Sequence, residues 1–304
     1  MSAQNTRVLP YGAEAIAEAA RLIAAGQIVA MPTETVYGLA ADATDGEAVA
    51  RIYEAKGRPR FNPLIVHVRD VAQAGEIALI DADAEALAER HWPGPLTLVL
   101  PLREGAPIAA LVTAGLRTIA IRAPSHPAMR DLLAATGKPL AAPSANASGR
   151  ISPTRASHVL ASLGGRIPLI VDGGPTEHGL ESTIVALTGG PPRLLRPGPI
   201  DLGLRVEDSA AIESPGQLRS HYAPAKPLRL DAVAARPGEW LLGFGAIPGD
   251  ATLSASGDLL EAAANLFERL HEAEAAPEPS IAVAPIPDTG LGVAINDRLR
   301  RAAA

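Results

Sequence analysis

The chain has 304 residues, which is enough for one large domain or two ordinary ones. Hydrophobic residues make up 47% and charged residues 20%, so a packed core is expected and wholesale disorder is not. The net charge of −6 argues against a broad nucleic-acid surface, and the lack of cysteine excludes disulfides, thiolate zinc sites and cysteine nucleophiles. With no apolar run near the roughly 20 residues that span a bilayer and no N-terminal signal segment, we expect a soluble, cytoplasmic protein without membrane association.

The first two thirds of the chain alternate between helical and strand patterns. Asp45 is a good N-cap and Gly57 a good stop for the second helix, and Ser125 is predicted to cap a helix that starts at Pro127 and closes at Gly137. The predicted helices are 13–25, 47–56, 84–91, 127–136 and 154–163, and the predicted strands are 28–31, 64–68, 96–100, 118–121, 140–142, 169–171 and 182–187. This alternation predicts an α/β domain with a twisted mixed sheet flanked by helices.

The pattern breaks after about residue 207. Prolines and glycine in 208–228 predict an extended linker. A smaller α/β unit of the Rossmann-like type is then predicted over 229–304, with strands at 240–242 and 281–284 and helices at 259–271 and 291–301. We therefore expect a catalytic domain over 1–207, a linker or lid over 208–228 and a small C-terminal domain over 229–304.

Polar side chains cluster where the second helix ends and the next strand begins. Lys56 and Arg58 border a tight proline-rich loop that continues to Asn62, and such cations suit a polyphosphate. The alternative is that both are solvated cations at a helix C-terminus. His67 lies on an otherwise apolar strand, where it is either a satisfied core residue or a partner for a substrate hydroxyl or proton.

Several further segments are candidates for ligand contacts. Thr118 and Arg122 have even spacing on one strand, which places them on one sheet face, and an arginine there suits a carboxylate or a salt bridge. The small residues of Pro143-Ser-Ala-Asn146 let backbone amides approach a ligand, although a plain turn has the same composition. Ser182 and Arg196 are weak candidates alone. The linker's His221-Tyr222 indicates a segment that docks, either as a lid or for packing only.

In their order, these motifs closely resemble the threonylcarbamoyl-AMP synthase family in its two-domain form, which carries a YrdC-like catalytic domain. The resemblance covers about residues 14–226. It rests on Pro32-Thr-Glu-Thr-Val-Tyr-Gly38, Lys56-Gly-Arg-Pro59, Asn62-Pro-Leu64, Pro143-Ser-Ala-Asn146, Glu181-Ser-Thr183, Arg196-Pro-Gly198, Ser214-Pro-Gly216 and His221-Tyr-Ala-Pro224. Gln217 stands where many relatives have methionine, and the region past Lys226 resembles the family only loosely.

The resemblance implies a reaction in which L-threonine, bicarbonate and ATP give threonylcarbamoyl-AMP and pyrophosphate. The product would pass to the machinery that transfers threonylcarbamoyl to tRNA, and weak binding of tRNA or double-stranded RNA is compatible with catalysis. Mg²⁺ would arrive with ATP, held by phosphates and water and not by a protein metal site. The family's pattern implies threonine contacts at Thr35, His67, Arg122, Ala142 and Ser182. It implies ATP contacts at Arg58, Asn62, Thr118, Ser144, Asn146, Arg196 and Tyr222. The candidate catalytic residues are Lys56, Arg58 and His67.

The sequence leaves two alternative functions open for the same module. A carbamoyl-transfer protein of hydrogenase maturation would need zinc-finger and acylphosphatase-like regions, for which this cysteine-free chain has no room. A non-catalytic RNA-binding or ribosome-maturation module would have a basic face, which the net charge of −6 disfavours.

Overall fold

The computed structural model describes residues 5–206 and 212–304, and within them the α/β prediction is confirmed. The helices are α1 (Ala13–Ala24), α2 (Gly46–Lys56), α3 (Val71–Ile77), α4 (Ala82–His91), α5 (Ala110–Thr113), α6 (Pro127–Thr136), α7 (Ala156–Leu163), α8 (Leu259–Ala275) and α9 (Leu291–Ala302). The strands are β1 (Arg7–Pro10), β2 (Val29–Met31), β3 (Gly38–Asp42), β4 (Ile65–His67), β5 (Leu96–Pro101), β6 (Thr118–Arg122), β7 (Leu140–Ala141), β8 (Leu169–Asp172), β9 (Thr183–Ala186), β10 (Arg193–Arg196), β11 (Leu228–Arg229), β12 (Glu239–Gly243), β13 (Ala251–Thr252) and β14 (Ser280–Val283). None of these helices has the length and apolar character that crossing a membrane requires.

Within the described residues, the larger sheet is mixed and contains ten strands in the order β1-β8-β2-β3-β7-β4-β6-β5-β9-β10. One face packs on a large apolar cluster that includes Leu39, Val66 and Ile121. On the opposite face, α1 and α6 cover the strands around β2 and β8. The rest of that face carries Ile65 and His67 on β4, so polar groups on neighbouring strands can meet above it.

Local capping signals account for several of the observed boundaries. The Asp45 carboxylate accepts from the backbone N–H groups of Glu47 and Ala48, and Gly57 ends α2 with φ 60°. The predicted Ser125 cap of α6 is wrong. His126 is the N-cap instead, because its imidazole Nδ1 accepts from Ala128 N at 3.2 Å.

Elements that the sequence analysis did not predict include β1, β3, α3 and α5. Strand β3 is composed mainly of small residues with low strand propensity, and it exists because β2 and β7 pair with it on either side. Its assignment therefore depends on tertiary pairing and not on local pattern.

The smaller sheet is parallel, with the order β11-β14-β12-β13, and α8 and α9 contact each other beside it. Described residues 212–227 contain no helix or strand and join the two sheets. Residues 207–211, which include the predicted 207/208 boundary, lie outside the described residues, and the domain bounds stay a prediction.

The two sheets' domains are packed closely together. A Cβ on Gly179 would lie 2.3 Å from the carbonyl oxygen of Ala264 on α8, so only glycine fits there. One apolar cluster joins Val36 and Leu180 of the larger domain to Leu266 and Phe267 of α8. The C-terminal domain is therefore in direct contact with segments that border the large sheet's polar face.

Candidate active site

A small cavity with many polar and charged lining residues lies on the open face of the large sheet. Its volume is about 50 Å³. The side chains that line it come from the large domain and from the linker. They are Thr33, Thr35, Val36, Gly38, Arg58, Ile65, His67, Arg122, Ala142, Pro143, Ser144, Glu181, Ser182, Arg196, Pro215, His221 and Tyr222. Nine of the residues proposed from the sequence are therefore brought together here.

The turn between β2 and β3 is organised by two hydroxyls. Thr33 Oγ1 donates to the carbonyl of Val36 at 2.6 Å and accepts from Thr35 N at 3.2 Å. The Thr33 and Thr35 hydroxyl oxygens are 2.9 Å apart. Because the Thr33 proton is already used, Thr35 donates in that pair, and its own oxygen accepts from Arg122 Nη1 at 2.9 Å.

Arg122 ends β6 and is held in a buried ion pair. Its Nη2 lies 2.6 Å from Glu34 Oε1, and both side chains are less than 5% exposed. Burial alone would raise the pKa of Glu34, but the charge and hydrogen bond of Arg122 outweigh burial and lower it to about 2. Arg122 Nε also donates to Gly94 O at 3.2 Å. A guanidinium has five N–H donors, so two remain for a ligand.

His67 faces the same space from β4, beside Arg122. Burial and the neighbouring guanidinium lower the pKa of His67 to about 3. Its Nδ1 is buried and has no hydrogen-bond partner in the described structure. His67 is thus a neutral imidazole with a free polar atom, suited to a hydrogen bond with a neutral ligand group.

Arg58 approaches the cavity from the loop after α2. The left-handed Gly57 turns the chain, and Arg58 then donates from Nε to Asn62 O at 3.2 Å and from Nη2 to Pro63 O at 2.8 Å. Burial lowers the pKa of Arg58 to about 10. The side-chain amide of Asn62 is also buried, and both of its polar atoms are unpaired in the described structure, although Asn62 does not line the cavity.

Lys56 lies behind the cavity and supports the loop 143–146. Its Nζ donates to Ser144 O at 2.6 Å and to Asn146 O. Burial, followed by repulsion from Arg58, lowers the pKa of Lys56 well below its ordinary value. Lys56 therefore holds the backbone of the loop that presents Ser144, and it does not itself face the cavity.

Ser182 and Arg196 form the opposite wall. Arg196 donates from Nε to Ser182 O and from Nη2 to Ser182 Oγ, each at 3.0 Å. The Ser182 hydroxyl also lies 2.7 Å from Thr97 Oγ1. Burial lowers the pKa of Arg196. Neither Arg196 nor Arg58 has a carboxylate within ion-pair distance among the described residues.

The linker closes the cavity from above. Tyr222 is 1% exposed, adopts φ 62°, and has an unpaired hydroxyl in the described structure. Gly216 lies so close that a Cβ there would be 2.8 Å from that hydroxyl and 2.9 Å from Arg196 Cδ. Gln217 Oε1 accepts from Glu213 N at 2.7 Å and from Ser214 N at 2.9 Å, and so fixes the turn that carries Gly216.

The remaining predicted residues are placed elsewhere. Thr118 lies at the amino end of β6, half-buried and away from the cavity lining. Asn146 uses its Nδ2 to bind Ala147 O and Arg150 O, which leaves its Oδ1 buried and unpaired in the described structure. The roles of these residues stay predictions.

Sequence reasoning left out several groups that the structure brings to the site. Glu34 and Glu181 stand inside quoted motifs, but their ion pairs with Arg122 and Arg298 depend on distant segments. Arg298 had one usable signal, since it falls on the apolar face of the last helix together with Ile295 and Leu299.

The donor set is poor for direct metal binding. The described residues contain no group of three or more His, Asp or Glu side chains arranged to hold a metal ion. Glu181, the carboxylate among the cavity-lining residues, is already paired with Arg298 at 2.7 Å. Cations and neutral donors dominate the lining, which favours an anionic ligand.

Comparison with known proteins agrees with this geometry. A family model described as "Telomere recombination" matches residues 21–198, and one described as "Threonylcarbamoyl-AMP synthase, C-terminal domain" matches residues 183–304. The threonylcarbamoyl-AMP synthase of Bacillus subtilis is 41% identical, covering 95% of this chain and 92% of the relative. That of Pyrococcus abyssi is 39% identical, covering 93% of this chain and 92% of the relative.

The solved structures agree along nearly the whole length. The crystal structure of Pyrococcus abyssi Sua5 complexed with L-threonine superposes with a TM-score of 0.89 at 37% identity, covering 98% of this chain and 97% of that one. A structure of a variant of the same protein, in which an adjacent histidine and tyrosine are replaced by alanine, gives the same TM-score. An ATP-using synthase family is consistent with a need for a metal ion. The chain belongs to the threonylcarbamoyl-AMP synthase family and is an enzyme.

Proposed function

We propose that this enzyme joins L-threonine, bicarbonate and ATP into threonylcarbamoyl-AMP and releases pyrophosphate. The observation that carries the proposal is the pair of buried arginines, Arg58 and Arg196, that share one cavity without a carboxylate partner among the described residues. Buried cations need compensating charge, and a polyphosphate supplies it. The threonine complex of the Pyrococcus abyssi relative supports the second substrate.

The threonine end of the site is proposed around Arg122. Its two remaining N–H donors suit the amino acid's carboxylate in a bidentate pair. The unpaired Nδ1 of His67 suits the threonine hydroxyl. Thr35, Ser182 and the backbone of Ala142 complete the proposed pocket. A hydrogen bond to the substrate hydroxyl would satisfy a buried polar atom that is otherwise orphaned.

The nucleotide end is proposed between Arg58 and Arg196, beneath Tyr222. Ser144 lines the cavity there, and the unpaired atoms of Asn62, Asn146 and Tyr222 are available for hydrogen bonds to ATP. Thr118 is kept as a proposed ATP contact through the family resemblance, although it does not line the cavity here. Lys56 would act by holding the loop 143–146 against the phosphates.

The chemistry needs positioning more than a protein nucleophile. Threonine's amine and bicarbonate form a carbamate and water, and a carbamate oxygen then attacks the α-phosphorus while pyrophosphate leaves. Preorganised donors that neutralise the developing phosphate charge are the main means of accelerating such transfers. Arg58 and Arg196 supply them here. His67, with its pKa near 3, would be a hydrogen-bond acceptor and not a carrier of a proton at neutral pH.

Mg²⁺ is proposed to enter on the phosphates of ATP. The cavity offers no free carboxylate among the described residues, so phosphate and water oxygens would be its ligands. Its contribution when bound would be to neutralise phosphate charge.

The linker is proposed to act as a lid. A space of about 50 Å³ is far smaller than the roughly 300–1,000 Å³ of ordinary ligand pockets. The proposal is that His221 and Tyr222, the aromatic residues of the linker that line the cavity, move to admit the nucleotide. The domain boundaries 1–207, 208–228 and 229–304, which rest on the sequence pattern, are part of the same proposal. Product transfer to the tRNA-modifying machinery, and weak binding of tRNA or double-stranded RNA, are part of the same proposal.

The test is pyrophosphate release from ATP and Mg²⁺, with threonine and bicarbonate each omitted in turn. We expect release to require both, together with a product of the mass of threonylcarbamoyl-AMP. Pyrophosphate release that does not depend on threonine would be consistent with the nucleotide site but would show that threonine is not the substrate. Absence of release with all components present would reject the proposed reaction.

A further inference from the structure

A fully buried arginine of the C-terminal domain reaches the back of the cavity. Arg298 lies on α9 and has 0% exposure. Its Nε donates to Glu181 Oε2 at 2.7 Å, and its Nη1 donates to Asp297 Oδ2 at 2.7 Å. Its Nη2 donates to Pro197 O at 3.0 Å and lies 3.5 Å from Glu181 O. One side chain therefore binds the residue before Ser182 and the residue after Arg196.

These two backbone segments touch each other where Arg298 holds them. A Cβ on Gly198 would lie 2.4 Å from Thr183 N and 2.7 Å from Glu181 O. At that contact Arg196 also binds Ser182 through two hydrogen bonds. A shift of Arg298 would therefore displace the Ser182–Arg196 wall of the cavity as a unit.

The same guanidinium also contacts the linker. Its Cζ lies 5.2 Å from the centre of the Tyr222 ring, and that ring packs on Phe267 of α8 with centroids 5.7 Å apart. A cation over an aromatic face is attractive, the more so when both are removed from water. Tyr222 is held in a left-handed conformation, which a residue other than glycine adopts only when its surroundings impose it.

Glu181 is the electrostatic partner of this arrangement. Its second oxygen accepts from Ser152 Oγ, so the carboxylate is bound on both sides. Burial opposes the charge on Arg298, but Tyr222, Glu181 and Asp297 outweigh it and raise the pKa of Arg298. A planar guanidinium binds these partners simultaneously through N–H donors held in a fixed arrangement, whereas a lysine ammonium is a single point charge without that arrangement of donors.

We propose that Arg298 is a positioning residue through which the C-terminal domain sets the geometry of the nucleotide site, by orienting the Ser182–Arg196 wall and Tyr222. The inference rests on the proposed function, because that function places ATP against Arg196 and Tyr222. It assigns the C-terminal domain a role in substrate binding beyond packing.

The test compares Arg298→Lys with Arg300→Lys in the full chain. Arg300 is on the same helix, and its side chain is 58% exposed, so it is the matched control. ATP affinity is measured by calorimetry, thermal unfolding is followed in parallel, and kcat and KM are measured for each substrate. We expect Arg298→Lys to weaken ATP binding by roughly tenfold or more and to lower kcat/KM for ATP by the same factor. Arg300→Lys should have the ATP affinity and the kcat/KM of the parent chain.

The readouts separate positioning from packing. A residue needed only for packing would lower the unfolding temperature without changing ATP affinity per folded molecule, and that result would overturn the proposal. If Arg298→Lys does not fold, the double variant Arg298→Gln with Glu181→Gln removes both buried charges together. Because Glu181 lines the cavity, the double variant is compared with Glu181→Gln alone, which keeps Arg298. Equal ATP affinity in these two folded variants would likewise overturn the proposal, and affinity weaker by roughly tenfold or more in the double variant would support it.

The two proposals can fail separately. If the parent chain releases no pyrophosphate with threonine and bicarbonate, the proposed reaction is wrong. Calorimetric ATP binding still decides the role of Arg298, because it does not depend on threonine or on turnover.

Discussion

Replacing Glu34 by glutamine should separate the electrostatic support of Arg122 from its packing. Glutamine has nearly the same shape and keeps an acceptor oxygen, but it lacks the negative charge that faces Arg122 at 2.6 Å. The carboxylate also accepts from the backbone N–H of His126. Glu34→Gln therefore leaves a buried guanidinium without its counter-charge.

The size of the effect follows from the pKa of Glu34. Lowering it from 4.5 to about 2 corresponds to about 3 kcal/mol of stability at neutral pH. A depressed carboxyl pKa stabilises the fold fully above the unfolded-state value and loses that contribution as pH falls toward the folded-state value. The wild-type advantage over Glu34→Gln should thus be on the order of 3 kcal/mol at pH 7, and it should fall by roughly half by pH 3.

The assay is chemical denaturation of both proteins between pH 7 and pH 3. Glu47→Gln is the control, because Glu47 is 89% exposed and lies 3.8 Å from Arg51; an exposed pair of that kind should have little influence. We also expect a raised KM for threonine in Glu34→Gln, since Arg122 would be less well oriented. A stability difference that does not change with pH would refute the electrostatic argument.

Three further predictions concern the nucleotide loop, the lid and the histidine. Arg58→Ala should weaken ATP binding by roughly 10- to 150-fold, about 1.5–3 kcal/mol. Arg60→Ala, which changes an exposed arginine of the same loop, should leave ATP affinity unchanged. If calorimetry gives Arg58→Ala the same ATP affinity as the parent chain, Arg58 is not part of the site. Gln217→Ala should speed protease cleavage within 214–224, because two backbone N–H groups lose their acceptor. ATP with threonine should slow cleavage of the parent chain. Cleavage rates that respond neither to the substitution nor to the ligands would count against a lid. His67→Gln should lower kcat/KM for threonine without altering the shape of its pH profile between 5 and 8, because His67 is already neutral there; a lost limb near pH 6–7 would contradict this.

Much of the architecture could be predicted from local pattern. The Asp45 cap and the Gly57 stop define α2 in both sequence and structure, because capping depends on residues a few positions apart. Strand β3 escaped prediction because its small residues carry little local preference and its existence depends on pairing with β2 and β7. The predicted cap of α6 was Ser125 and the observed cap is His126, one residue later, a difference that composition alone does not distinguish.

The candidate site divides in the same way. The order of the motifs predicted Thr35, Arg58, His67, Arg122 and Tyr222 as site residues, and all of them line one cavity. The motifs did not predict the direction in which each side chain points. Lys56 turns to the carbonyls of Ser144 and Asn146, and Thr118 stays outside the lining.

The sequence by itself determined the α/β class, the family resemblance and the set of polar residues available for phosphate and amino-acid binding. Tertiary structure alone decided the partners of the buried charges. Glu34 meets Arg122 across 88 positions, and Glu181 meets Arg298 across 117. Helix caps and turns form between neighbours, so their residues reveal them locally. A buried charge instead takes the partner that the packed sheet and helices bring to it, and no short-range pattern encodes that choice.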